Sequence, residues 1–595
     1  MPIEIIEIAK LVIGIFIISI PGYFWSLLFF QDFRQLERIA FGFVLGLGVI
    51  SCGPFMLEFV LGFEITKNLM IALYLIYTLP AIILWIASLR KKGFPKLHID
   101  NLREPKTWII LLIIVFAAVM AFLPHWSNNY FLPFHVDEWE HWTLSRAVIE
   151  SGSSSIINPY IGTDIIRPLE IGFNCMTAGI TWLTGSSFIT IFVFMPSIIA
   201  IFISIMAFNI GERAERKFGL EAAFIVTLIP TTCRMMGPSF FVPLATGLLF
   251  LTTIMWIEQI KKLSSALFIP FFIFCVFLIH PPTALAGIII TLIYAFLLLL
   301  EKKYELAVLS LGLSLLPIAF VFLISTRWDV SLQEVIEAFL GGKLLLDMNL
   351  PKIWPSFEHL GIITWILFII GAYFSFNKGK AIQRTITTSA IAFIVIIGLY
   401  DKLGYGVPIM YERSFMYLFL MVALIAGYGL GELGRLIYDN REELFSRRYE
   451  RISNHSKIII SVTVCVILVF VAVPAHLDTQ YYQMINEKDY ETFTWIHDNI
   501  DNYRDDSHTY NKAVVDPFVA SPFSAVTGLY IVSLSMSPLY GYNLHTEVEN
   551  FLINKCVDTA FLDEHKISVI YGNCNNDNLT MIYPNFYLYP GLYEK

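Results

Sequence analysis

Charge is scarce in this chain. Of its 595 residues 15% are Asp, Glu, Lys or Arg, whereas 56% are hydrophobic, and the mean hydropathy is +0.67. A soluble protein of this length needs more polar surface, so composition excludes an ordinary soluble enzyme. Cysteine is scarce as well, with seven in all. No CxxC pair and no His/Cys cluster has zinc-ligand spacing, which argues against a zinc site. There is no internal repeat at solenoid periods and no low-complexity tract. The first apolar run starts almost at Met1 without a basic n-region or a small-residue cleavage site. It is expected to be a retained span rather than a signal peptide.

What the chain has in abundance is apolar runs of about 20 residues, each long enough to cross roughly 30 Å of hydrocarbon. They fall near 7–29, 38–60, 67–89, 107–124, 187–210, 219–235, 239–258, 265–281, 283–300, 305–325, 359–376, 385–400, 414–434 and 458–475. The stretch 268–300 is too long for one span, and His280-Pro281-Pro282-Thr283 divides it, because proline interrupts a helix.

The basic residues are segregated. Arg90, Lys91, Lys92 and Lys96 follow the third run, and Arg213, Arg216 and Lys217 follow the fifth. Lys261-Lys262, Lys302-Lys303, Lys378, Lys380, Arg384 and the run from Arg435 to Lys457 fall at later alternate junctions. The positive-inside rule makes these loops cytoplasmic and puts both termini outside. The net charge of −8 therefore says little about partners, and nothing points to nucleic acid.

Three sections follow. Residues 1–106 form an extra three-span module, and 107–475 form a larger bundle with outer loops at 125–186 and 326–358. Residues 476–595 lose the long apolar runs and alternate helix and strand signals, as an α/β domain does. The helix signals are Asp489 to Ile496 and Glu547 to Val557, and the strand signals are Lys512 to Asp516, Leu529 to Ser533 and Ile567 to Tyr571. This section has no Gly-rich phosphate loop and no nucleophile elbow. The expected class is a polytopic α-helical membrane protein of about 14 transmembrane helices. It sits in the cytoplasmic (plasma) membrane with an extracytoplasmic C-terminal α/β domain. Cys556 and Cys574 fall in that outer domain, where a disulfide is permitted. Asn578-Leu579-Thr580 is a sequon there. Cys52, Cys233, Cys275 and Cys465 read as small apolar residues at spans.

The densest polar stretch of the outer side is Phe134-His135-Val136-Asp137-Glu138-Trp139-Glu140-His141-Trp142. A carboxylate there can take a proton from an acceptor as a bond forms, and burial among aromatic rings can raise its pKa toward that role. His135, Glu140 and His141 could tune it or bind the acceptor. A simpler account is an amphipathic helix lying on the membrane, anchored by Trp139 and Trp142.

The downstream pattern favours chemistry. Trp142 to Gly152, Pro159-Tyr160, Arg167-Pro168-Leu169 and Trp182-Leu183-Thr184-Gly185 follow in order, and a basic loop stands at Gly211 to Lys217. Pro408 to Phe415 and Gly427-Tyr428-Gly429-Leu430 come later. As an ordered set, with Asp137 and Glu138 at its head, this resembles GT-C superfamily membrane glycosyltransferases over about residues 107–595. The resemblance implies a polyprenyl- or dolichyl-phosphate-linked sugar donor and a glycan, lipid or protein acceptor. It further implies Asp137 as base or acceptor-positioning carboxylate with Glu138 as its partner. A divalent metal, Mg or Mn, on Asp137 and Glu138 is compatible with it but not required. The chain has no MIR-like domain of protein O-mannosyltransferases and no WWDYG signature of oligosaccharyltransferases.

Such a donor needs cations outside, and guanidinium suits phosphate because it offers two N–H groups together. Arg413 is the first candidate, since it begins an apolar span and is costly there without an anion. Arg234, Arg327 and Lys343 are the others. His280, at the outer turn between two spans, could bind sugar or phosphate, or simply satisfy carbonyls freed by the prolines. Two rivals remain from other classes. A transporter or flippase of lipid-linked glycans would carry ionisable residues mid-span, and a non-catalytic scaffold would need the loop only to hold the outer domain.

Overall fold

A computed structural model describes residues 4–92, 104–232, 235–328, 331–334, 336, 345–346, 360–439, 456–479, 481–503, 510–534 and 544–590. Among them ten helices are long and apolar enough to cross a bilayer, and three shorter apolar helices lie at Pro243–Glu258, Ser265–Ile279 and Ile362–Lys378. The sixth expected span, 219–235, is not one continuous helix. It holds an eight-residue helix, Gly219–Val226, after which the chain leaves helical geometry. Pro230 explains the stop: it has no N–H to continue the ladder and disfavours helix at Ile229. The run 305–325 is also divided, into Tyr304–Ser314 and Leu316–Trp328.

Helices α1 (Ile5–Phe29), α2 (Gln35–Leu61), α3 (Lys67–Lys92) and α4 (Pro105–Ser127) precede α5 (Val136–Ser151). Then come α6 (Ile171–Thr184), α7 (Phe188–Arg213), α8 (Gly219–Val226), α9 (Pro243–Glu258), α10 (Leu263–Ile279) and α11 (Pro281–Leu300). The first two helices are built into the bundle. A Cβ on Gly22 would lie 2.7 Å from the Gly42 carbonyl oxygen, so small residues let α1 and α2 approach backbone to backbone. Helix α2 also packs on α6, α7 and α10.

The alternate cationic loops meet at one end of the bundle. Arg213 pairs with Glu37, Arg34 and Lys106 with Glu212, Lys262 with Asp32, and both Arg216 and Arg435 with Glu432. Glu37, Glu212 and Glu432 are buried, so each needs the cation it has. The opposite end carries α5 and the domain that begins near residue 480.

Short strands β1 (Ile156–Ile157) and β2 (Ile165–Ile166) pair with each other, as do β3 (Leu345–Leu346) and β4 (Tyr405–Gly406). The domain has a five-stranded mixed sheet of β5 (Lys512–Val515), β6 (Tyr530–Ile531), β7 (Val569–Tyr571), β8 (Thr580–Tyr583) and β9 (Phe586–Leu588) in the order β6-β5-β7-β9-β8. Strand β5 is parallel to β6 and β7. Strand β9 pairs antiparallel with β7 and with the edge strand β8. Cys556 and Cys574 form a disulfide. Arg146 of α5 bolts this domain to the bundle by donating to the carbonyls of Ala525 and Val526. The Ile531 N–H donates to the Tyr160 carbonyl at 2.6 Å, and Tyr130 donates its hydroxyl proton to the Ile485 carbonyl at 3.0 Å.

Candidate active site

Helix α5 begins where it does because two side chains supply its first-turn partners. His135 is the N-cap, its Nδ1 lying 3.1 Å from the Asp137 N–H. Glu138 reaches back from the third helical position, as in a capping box. Its Oε2 accepts from the N–H groups of Phe134 and His135 at 2.9 and 3.2 Å, and its Oε1 accepts from the Phe241 N–H at 2.9 Å. Glu138 is 1% exposed. Burial pushes its pKa up to about 7 although the three N–H groups pull the other way.

The far end of α5 is held by the N-terminal helices. Gly152 ends α5 with φ +66°, a conformation glycine adopts freely. Its carbonyl accepts from the Ile65 N–H at 2.6 Å. Glu58, at the end of α2, accepts the Ser153 hydroxyl proton at 2.6 Å and the Ser154 N–H through both oxygens at 3.0 and 2.9 Å.

Between these fixed ends Asp137 is partly open, its side chain 32% exposed, with Oδ1 3.3 Å from His135 Nδ1. Burial opposes its charge, but His135, Arg413 and His141 outweigh it and hold the carboxyl down at about 2. The raised pKa expected of this residue is therefore found on its neighbour Glu138 instead.

A second carboxylate, Glu170, completes the centre. It occupies the N-cap position of α6 without capping it and faces two histidines. Its Oε2 is 3.2 Å from His141 Nε2 and its Oε1 is 3.7 Å from His280 Nε2. The two imidazoles are tuned apart. Burial works against charge on His141, yet the Glu170 hydrogen bond and the charges of Glu170, Glu140 and Asp137 raise its pKa. Its Nδ1 lies 3.3 Å from Asn174 Oδ1, which also accepts from the Ser145 hydroxyl at 3.3 Å. Burial, with the positive charges of Arg413 and His141, drives the His280 pKa well below the ordinary histidine value. His280 Nδ1 is 2.6 Å from the Thr283 hydroxyl, which lies 2.8 Å from the Tyr417 hydroxyl. Arg413 stands one turn before Tyr417 on the same helix, hence on the same face, and its charge acts on Asp137, His135, His280 and Tyr417.

The structure thus brings together His135, Asp137, His141, His280 and Arg413. Glu140 is half-buried on α5, and its charge reaches His141 and Tyr160. Arg327 is exposed near the end of the helix Leu316–Trp328. Arg234 and Lys343 lie outside the described residues. Glu170, Asn174, Thr283 and Tyr417 are contributors that the sequence did not single out. Glu170 immediately follows the quoted Arg167-Pro168-Leu169, and Tyr417 is four residues after Arg413, so spacing held a faint signal for both. Both Glu138 oxygens accept backbone N–H groups, so of the two adjacent carboxylates Asp137 is the one that opens toward the site. Among the described residues no group of three or more His, Cys, Asp or Glu could hold a metal ion.

No protein-family model matches this chain, and no curated protein matches it by sequence. Solved structures do match by shape. The apo crystal structure of the Archaeoglobus fulgidus oligosaccharyltransferase aligns with a TM-score of 0.52 at 10% identity, over 79% of this chain and 69% of that one. Its complex with Zn and sulfate aligns with a TM-score of 0.50 at 12% identity, over 78% and 67%. At so low an identity the likeness shows the fold alone: this chain shares the fold of that oligosaccharyltransferase.

Proposed function

We propose that this protein is a membrane glycosyltransferase that moves a sugar from a polyprenyl-phosphate-linked donor to an acceptor at the outer face of the membrane. The observation that carries the reading is the pairing of one ionised, partly open carboxylate, Asp137, with the Arg413 charge at the domain-bearing end of a GT-C bundle. The positive-inside rule puts that end outside.

In this mechanism the acceptor nucleophile attacks the anomeric carbon, and the bond from that carbon to the donor phosphate breaks. Asp137 accepts a hydrogen bond from the nucleophile, orients it, and takes its proton as the new bond forms. A carboxylate with a resting pKa of about 2 is a weak base. Its main contribution is positioning and electrostatic, and proton transfer completes late, once the acceptor has become acidic. Arg413 meets the leaving phosphate, aided by the protonated His141 and the Tyr417 hydroxyl. Glu138 acts as a positioning residue that fixes the first turn of α5. Glu170 holds His141 charged. Every step assigned here is carried by side chains.

The solved neighbour is an oligosaccharyltransferase, which favours a glycan-transferring role. This chain lacks the WWDYG signature, so the acceptor can be a glycan, a lipid or a protein. The experiment is transfer from a panel of radiolabelled polyprenyl-phosphate sugars by purified wild type and Asp137→Asn. Transfer by the wild type that vanishes in a folded variant supports the reading. Equal transfer by both removes Asp137 from the mechanism, and none from any donor favours the scaffold or transport roles.

A further inference from the structure

The sequon in the C-terminal domain is placed by the fold in a way that the activity above does not use. Residues 575–579 form the turn that leads from Cys574 into edge strand β8. Leu579 is buried with Cys556 and Cys574 in the small core of the domain. Its neighbours Asn578 and Thr580 are both exposed, as alternation around a buried residue requires. The turn satisfies its own backbone. Asn576 Oδ1 accepts from the Asn578 N–H at 2.9 Å, and Asn576 Nδ2 donates to the Cys556 carbonyl at 2.6 Å. The Asn578 side chain is left exposed to solvent, two residues before the exposed Thr580.

We propose that Asn578 is an N-glycosylation site of this protein. The co-reactant is a glycan linked to a polyprenyl phosphate or pyrophosphate, transferred by an oligosaccharyltransferase of the same membrane. Asn578 Nδ2 bonds to the anomeric carbon and loses one proton to that enzyme's base. The bond from the anomeric carbon to the lipid phosphate breaks, and its electron pair leaves with the phosphate. A glycan here stands at the head of β8, the sheet edge, where Met581 is 63% exposed. Bulk at that point blocks pairing of the edge with another chain.

The sequence carries an internal control. A second sequon, Asn454-His455-Ser456, lies in the basic loop at the start of the helix Ser456–Leu477, whereas Asn578 belongs to the domain beyond its end. If the domain is outside, only Asn578 meets the glycan donor. The proposal rests on that outward placement, not on the chemistry assigned to Asp137.

The test is peptide mass spectrometry of the full-length protein purified from its own membrane. Intact cells are labelled beforehand with a membrane-impermeant amine reagent that reads the exposed Lys555 and Lys566. The expected result is labelled lysines, a glycan mass on the Asn578 peptide and none on the Asn454 peptide. Thr580→Ala loses the glycan, and Thr580→Ser keeps it. Labelled lysines with unmodified Asn578 overturn the proposal and leave the proposed activity standing. Unlabelled lysines, or a glycan on Asn454, overturn the outward placement on which both readings depend.

Discussion

His135 Nδ1 lies 3.1 Å from the Asp137 N–H and 3.3 Å from the Asp137 carboxylate, so one nitrogen faces two partners that need it in opposite states. Bare, it accepts the N–H and caps α5. Protonated, it donates to the carboxylate. Burial disfavours its charge, but Asp137 and Glu138 raise its pKa above the ordinary histidine value. The stability from the protonated pair is full below about 6.5, the unperturbed value, and is lost as pH rises through the raised one. The matching contribution of Asp137 is present above its ordinary value of about 3.9 and is lost as pH falls toward about 2.

The rate should move the other way from the pair's stability. Losing the His135 proton removes a positive charge beside Asp137 and makes that carboxylate a stronger base. The expected kcat/KM for sugar transfer rises with pH through an inflection above the ordinary histidine value. His135→Asn can still cap the helix but cannot titrate, and its pH–rate profile is expected to lose that rise and keep only the fall as His141 gives up its proton.

Asp137→Asn keeps the size of the side chain and removes its charge. Loss of a positioned acid–base group lowers turnover by roughly 10²–10⁴-fold. The thermal midpoint should fall only by what the partly open His135–Asp137 pair contributes. Glu138→Gln is expected to do the reverse. It sets an NH₂ group against backbone N–H donors in a buried site, at a cost of about 1–3 kcal/mol. Thermal denaturation of the two variants beside their turnover separates the roles.

Arg413→Ala should weaken donor use before it weakens folding. A charge-assisted hydrogen bond to phosphate is worth about 1.5–3 kcal/mol, roughly 10- to 150-fold in affinity. The increase should appear in KM for the lipid-linked sugar and not in KM for the acceptor. Arg413→Lys should recover part of it, since an ammonium keeps the charge without the two-pronged geometry.

Glu58→Ala tests whether the N-terminal helices serve the site. It strips three hydrogen bonds from Ser153 and Ser154 at the end of α5. The expected result is a loss of stability of roughly 1–3 kcal/mol together with lower turnover, although Glu58 does not reach the reacting groups. Normal turnover at saturating substrate in the variant would remove Glu58 from the positioning of α5 and leave only the Ile65–Gly152 bond to hold that end.

Much of the architecture was legible in the sequence because its signals are local. A run of about 20 apolar residues identifies a span without reference to any other part of the chain. The run 219–235 is helical only to Val226, because near Pro230 the hydropathy stays apolar but the helical backbone cannot continue. Alternating cationic loops identified which junctions share an end of the bundle, and the ion pairs that join those loops bear this out. The acidic stretch before Trp139 was visible because so many ionisable groups in an apolar chain stand out.

Tertiary structure decided what that stretch does. Asp137 and Glu138 are adjacent in sequence, but successive residues of a helix point about 100° apart. One carboxylate therefore opens toward the site while the other turns into backbone N–H groups from two segments. Glu170 joins the centre because α6 returns across α5 and because α10 ends at His280 beside it. Glu58 reaches α5 across more than ninety residues of chain. Composition and periodicity record what each segment prefers by itself, and so they revealed the spans and the loop. Partnerships between distant segments form only when the bundle closes, and in this protein those partnerships set the charge states of the site.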